Sequence, residues 1–159
     1  MITQGIIKKW ITDTLKDSAE YQAFCIATIG SALNFYRSAP IDNSKYEALP
    51  FLTVYNDDYE KDDLSSSGWG ETWIIPIAIA IQSSDDYITD ATVKVWESTD
   101  KVELLAMKAK EILKKEANGC GIGGEDISVL KTSIAISEIG YSDDVQASMF
   151  IMFGKRDSL

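Results

Sequence analysis

Residues 56–63, "NDDYEKDD", gather Asp57, Asp58, Glu60, Asp62 and Asp63 around one lysine. Five carboxylates in so short a span suggest a divalent cation site. A calcium loop alternates its carboxylates, turns on a glycine at the sixth position and closes with a bidentate Glu at the twelfth. Counted from Asp57 or Asp58, the sixth residue is Asp62 or Asp63 and the twelfth is Gly68 or Trp69, so both requirements fail. The acids read instead as part of a long solvated loop, Asn56 to Gly70, joining two strands. Asp and Ser favour turns there, and connections of this length are usually functional or disordered.

A second candidate is "GCGIGGED", Gly119 to Asp126. Phosphate-binding glycines follow a strand and open a helix, where backbone N–H groups and the helix dipole meet the anion. Here they follow a helix and precede a strand, beside Glu125 and Asp126. They read as a helix C-cap and a turn.

Nucleophilic chemistry has little to work with. The chain has no histidine, which removes the commonest general base and metal ligand. Cys25 and Cys120 lack any zinc spacing and read as reduced thiols, buried or incidental. A thiolate would need Lys or Arg as its partner. The expectation is a protein that is not an enzyme and has no cofactor or metal site.

The elements that would position these residues follow from periodicity. Between Thr3 and Lys16, the residues Ile6, Ile7, Trp10, Ile11 and Leu15 form one helical stripe, with Lys8, Lys9, Thr12, Asp13 and Lys16 away from it. "SAEYQAFCIATIG" reads as a short helix capped by Ser18 and stopped at Gly30, although the β-branched "IATI" leaves a strand open. "ALNFYRSAP" and "LPFLTVYN" read as strands. Then Trp73, Ile75, Ile77, Ile79 and Ile81 alternate with Ile74, Pro76, Ala78 and Ala80, a strand buried on both faces. Pro76 cannot donate to a ladder and marks an edge or a bulge.

Asp100 and Glu103 resemble a capping box opening a helix that buries Val102, Leu105, Ala109, Ile112 and Leu113 and ends at "NG". "DISVLKTSIAIS" and "VQASMFIMFG" read as a hairpin joined by "EIGYSDD". No repeat, Pro-rich linker or low-complexity tract divides the chain, so a single domain over residues 1–159 is expected.

Fifteen basic and 25 acidic residues give a formal net charge of −10, which disfavours duplex binding through a basic groove. A composition 45% hydrophobic and 25% charged is that of a globular protein. The N-terminal segment, broken by Lys8 and Lys9, lacks a signal-peptide core, and the apolar run Trp73 to Ile81 is too short to span a bilayer as a helix. An intracellular location without a membrane role is expected.

This order of elements, with the texture of "IGSALNFYRSAPIDNSKYEALPFLTVYND" followed by a polar loop and "GWGETWIIPIAIAI", resembles the tail terminator (tail-completion, head-tail joining) proteins of bacteriophages and prophages. The shared pattern is a first helix, a strand with a "VY"-type pair (here Phe35-Tyr36), a proline-led strand (here Pro50 to Tyr55), the long loop and a third strand. The resemblance implies an α+β fold. Its largely antiparallel, mixed sheet would have about four to five strands, flanked by two main α-helices. It implies a ring, typically a hexamer, that caps the tail tube, stops its polymerisation and offers a surface to the head connector. DNA would pass through the bore without specific binding.

The partners implied are copies of the chain, the tail tube protein and the head connector protein, with the virion tail as location and the bacterial host cytoplasm as site of assembly. Candidate interface residues are Asp57, Asp58, Glu60, Asp62, Asp63 and Trp69 on the loop, and Lys8, Lys9 and Trp10 on the first helix. Exposed ion pairs contribute roughly 0 to 1 kcal/mol each, so Trp69 or Trp10 is the expected anchor. The alternatives are a metal-dependent cytoplasmic enzyme using the acidic loop 57–63, or a head-proximal neck protein.

Overall fold

Three helices form one layer over a sheet: the first and third pack directly on strands, and the second packs on the other two helices. The computed structural model describes residues 2–39, 49–55, 69–83, 87–138 and 144–156. Helix α1 (Gln4–Lys16) begins at Thr3, whose hydroxyl accepts the Ile6 N–H at 3.3 Å. Its buried arc comprises Ile7, Lys8, Ile11, Thr12 and Leu15. That arc is rotated from the expected stripe: Ile6 is exposed and Trp10 is only partly buried, whereas Lys8 and Thr12 turn inward. The helix is wedged between the sheet and the other helices, so tertiary packing sets the arc. Thr12 is accommodated because its hydroxyl donates to the carbonyls of Lys8 and Lys9, at 3.1 and 3.0 Å.

Helix α2 (Ala19–Ile29) resolves the open choice at "IATI" in favour of helix. Ser18 accepts the Tyr21 N–H at 3.1 Å, and Gly30, at φ +80°, closes the other end with its N–H on the Ile26 carbonyl. Helix α3 (Ser98–Cys120) begins two residues before Asp100, behind Glu97, which makes no side-chain cap bond. The expected capping box at Asp100 and Glu103 is therefore not formed. Asp100 sits in the first turn instead, where its charge favours the positive end of the helix dipole. The helix also runs through Asn118 and Gly119 to stop at Gly121, and the Asn118 side-chain oxygen accepts the Val129 N–H at 3.3 Å.

Five strands follow the order β1-β2-β3-β7-β6, where β1 is Asn34–Ala39, β2 Phe51–Tyr55, β3 Trp69–Gln82, β6 Ile127–Glu138 and β7 Asp144–Arg156. Only the β1–β2 pair of this sheet is parallel. The central pair sets Trp73 opposite Phe153, Ile75 opposite Ile151, Ile77 opposite Met149, Ile79 opposite Ala147 and Ile81 opposite Val145. All ten side chains are buried in the core beneath the helices. Each large aliphatic member contributes about 1.5–3 kcal/mol on burial. Ala78 and Ala80 on the reverse face are buried too, as their alternation predicts. Beside Pro76, the ladder to β2 reaches Ile77 and stops, whereas the ladder to β7 runs through Pro76 opposite Phe150 without a shift.

The glycines after α3 serve the backbone. Gly121, Gly123 and Gly124 all have positive φ, and a tight turn bridges Ile122 to Glu125. A Cβ on Gly121 would lie 2.2 Å from the Glu125 carbonyl oxygen. Between β3 and α3 lies a ribbon that periodicity did not reveal: β4 (Ile88–Asp90) and β5 (Val93–Val95), paired antiparallel around Ala91 at φ +56°.

Candidate assembly surfaces

Three side chains able to do bond-making chemistry, Cys25, Asp13 and Glu20, are held away from the protonation state that a nucleophile or general acid needs. Cys25 is buried on α2, and burial raises its thiol to about 11, away from the thiolate that a nucleophile requires. Cys120 is exposed at the end of α3, and both cysteines are free thiols. The Asp13 carboxyl is lowered by the hydrogen bond from Lys9, and that of Glu20 by the bond from Lys108. Both shifts keep the carboxylates ionised, the opposite of what a general acid needs. Among the described residues, no group of three or more Cys, Asp or Glu is placed to hold a metal ion.

Two open clefts mark the helix layer. One, of about 280 Å³, lies where the end of α2 meets the starts of β2 and α3, and is lined by Ile29, Leu49, Pro50, Ile81 and Lys101 among others. The other, of about 400 Å³, lies between the α1–α2 corner and α3 and sets Asp13, Asp17, Glu20 and Glu116 around Lys115. Neither is lined by a cysteine. No helix among the described residues is long and apolar enough to cross a membrane.

The expected interface residues are dispersed. Asp57, Asp58, Glu60, Asp62 and Asp63 lie outside the described residues, and with them the metal reading of that loop. Trp69 opens β3, opposite Arg156. Lys8 is 3% exposed, so its side chain is committed within the chain and not to open surface. Lys9 is exposed and pairs with Asp13 one turn along the same helix. Trp10 packs edge-on against Phe153, with ring centroids 6.1 Å apart, and is half-buried.

A cluster of exposed apolar residues lies elsewhere, on the ribbon. Tyr87, Ile88, Val93 and Trp96 are 45%, 50%, 60% and 50% exposed. The β4–β5 register puts Ile88, Val93 and Val95 on one face together with Asp90, the partner of Val93 at the turn end, and Thr89 and Lys94 on the other. Tyr87 and Trp96 meet with centroids 5.3 Å apart, and the Lys94 ammonium lies 4.8 Å from the Tyr87 ring centre. In "YITDATVKVW" the signal was the alternation on each side of Asp90-Ala91-Thr92, only three residues long per strand.

No family model and no curated protein matches the chain. A solved structure does: one chain of the "Virion of native gene transfer agent (GTA) particle" superposes with a TM-score of 0.53 at 10% sequence identity, over 92% of each chain. The two chains share a fold. The similarity runs nearly end to end, so the three helices and the five-stranded sheet belong to one architecture with that virion chain.

Proposed function

We propose that this chain is a structural component of a phage-like virion. Within the particle, it is a ring-forming tail terminator that caps the tail tube, stops its polymerisation and presents the head-joining surface. The observation that carries this reading is the end-to-end fold similarity to a chain of a gene transfer agent virion. It agrees with the sequence resemblance, which was drawn from a different kind of information.

The physical properties suit such a role. A scaffold that works by shape needs rigid layers, and the continuous Ile and aromatic rows of β3 and β7 under three helices supply them. A chain of net charge −10 lets a polyanion pass without adhering. Association relies on exposed apolar surface, because single exposed ion pairs add little.

The test is a tube-capping assay. The purified chain is added to tail tube protein from the same phage or prophage during polymerisation, and lengths and ends are read by negative-stain microscopy. Short tubes capped at one end, with free rings in native mass spectra, are expected. Tubes of unchanged length with bare ends, alongside binding to the head connector alone, would favour the neck-protein reading, which the same fold similarity also supports.

A further inference from the structure

We propose that the β4–β5 ribbon is an assembly arm that adds to the outer edge of β6 in a second copy of this chain. This rests on the ring-forming reading above and names the contact that would build the ring.

The described helices and strands of the chain give the ribbon no support. Among the described residues, β4 and β5 contact each other and no other helix or strand. An isolated two-stranded ribbon is at best marginally stable in water. The aromatic face, with Tyr87, Trp96 and Lys94, holds the two strands together. The other face, Ile88, Val93 and Val95 with Asp90 at its turn end, has no described helix or strand over it and is open to a second copy.

The chain also carries a matching acceptor. Strand β6 is the outermost strand on its side of the sheet, and beyond the register shift at Leu130 its residues from Lys131 to Glu138 pair, among the described strands, with β7 alone. An outer edge of that length presents a row of backbone donors and acceptors to another strand. Ile134 and Ile136 point to the core side of β6 but stay partly exposed at this edge. A strand added there with Ile88 and Val93 on the same side would extend the apolar layer over both.

Charge argues for a second copy as the occupant. Two chains of net charge −10 repel, so they must meet through segments poor in acid. Residues 127–137 contain no acid and one lysine, and residues 87–96 contain one acid and one lysine. The contact is thus close to neutral on one side and weakly positive on the other. Arm and acceptor are different parts of the chain, which makes the contact head-to-tail, the kind that closes into a ring.

The test uses the full chain in a Cys120→Ser background, with Thr89→Cys on one population and Ser133→Cys on another. After mixing and mild oxidation, disulfide-linked dimers are expected from that pair and not from Thr89→Cys with Glu103→Cys, a control on the exposed side of α3. Separately, the double variant Ile88→Asp, Val93→Asp should keep the wild-type melting temperature and lose assembly at concentrations where wild type is fully assembled. If that variant still assembles, or if the control pair links equally well, the arm proposal is overturned and the ring reading stands. If wild type stays monomeric with and without tube ends, both fall together.

Discussion

Tyr21 donates its buried hydroxyl to the main-chain carbonyl of Leu105 across 3.0 Å, pinning α2 to the middle of α3. The ring is fully buried, so the bond is shielded from water. Tyr21→Phe removes the donor and keeps the packing. A loss of about 1 kcal/mol is expected, within the usual range for one neutral hydrogen bond. Tyr21→Ala also leaves a cavity and should cost about 3–5 kcal/mol, by analogy with other large aromatic truncations. Urea unfolding should show both as a lower midpoint at an unchanged slope. Equal losses for the two variants would show that the ring contributes little beyond its hydroxyl.

The turn after α3 distinguishes glycines needed for space from those needed for conformation. At Gly121 a Cβ meets the Glu125 carbonyl oxygen at 2.2 Å and φ is +70°, whereas at Gly124 φ is +79° with open space around it. Gly119 is helical with nothing near. Gly124→Ala should therefore cost about 1–2 kcal/mol from the left-handed backbone alone. Gly121→Ala should cost more, because the backbone of the turn must move as well. Gly119→Ala should be neutral or stabilise by up to about 1 kcal/mol, since alanine favours the helix. The order of the three melting temperatures is the measurement, and a Gly121 variant milder than the Gly124 variant would contradict it.

Much of this architecture was legible because its signals are local. Ser18 and Gly30 bracket α2 at its observed ends, and the isoleucine alternation of β3 predicts both buried faces. What escaped was decided by the tertiary environment. Lys8 and Thr12 look like solvent-facing residues on a helical projection, yet α1 is covered on several sides and takes them into its buried arc. At the start of α3, Ser98 is buried and the helix extends past the obvious cap, so packing overrides the signal at Asp100. The ribbon was missed because three residues per strand are too few for periodicity to register. Its exposed Ile88 and Val93 were also invisible in sequence, where apolar residues read as core.

The two thiols should behave oppositely. Cys120 is exposed and Cys25 is buried, so a thiol reagent should label Cys120 rapidly and Cys25 only as the chain opens. Burial holds the folded Cys25 thiol at about 11 against an ordinary 9.0, so the folded chain keeps a proton that the unfolded chain has lost. Its stabilising effect is full below pH 9 and disappears as pH rises towards 11, a change on the order of 2–3 kcal/mol. Cys25→Ala removes this titration and should flatten the alkaline fall in stability between those pH values. Parallel curves for the variant and wild type would show that Cys25 carries none of it.

The proposed role, in which DNA passes through an assembled bore, requires that the chain not hold it. The 15 cations are outnumbered by 25 acids, and several are already engaged: Lys9 with Asp13, Lys108 with Glu20 and Glu111, Lys101 with Glu97, and Lys155 with Glu125. Non-specific duplex binding draws its free energy from counterions displaced by Lys and Arg, and repulsion from the surplus acids opposes it. Mixed with short duplex DNA at low ionic strength, where such binding is strongest, the protein should give no mobility shift. Glu20→Gln with Glu111→Gln frees Lys108 from both partners but leaves the chain strongly acidic, so this variant should give no shift either. If the wild-type chain shifted the duplex, and the shift weakened steeply with salt, its cations would be gathered on one face. DNA contact would then belong to its function.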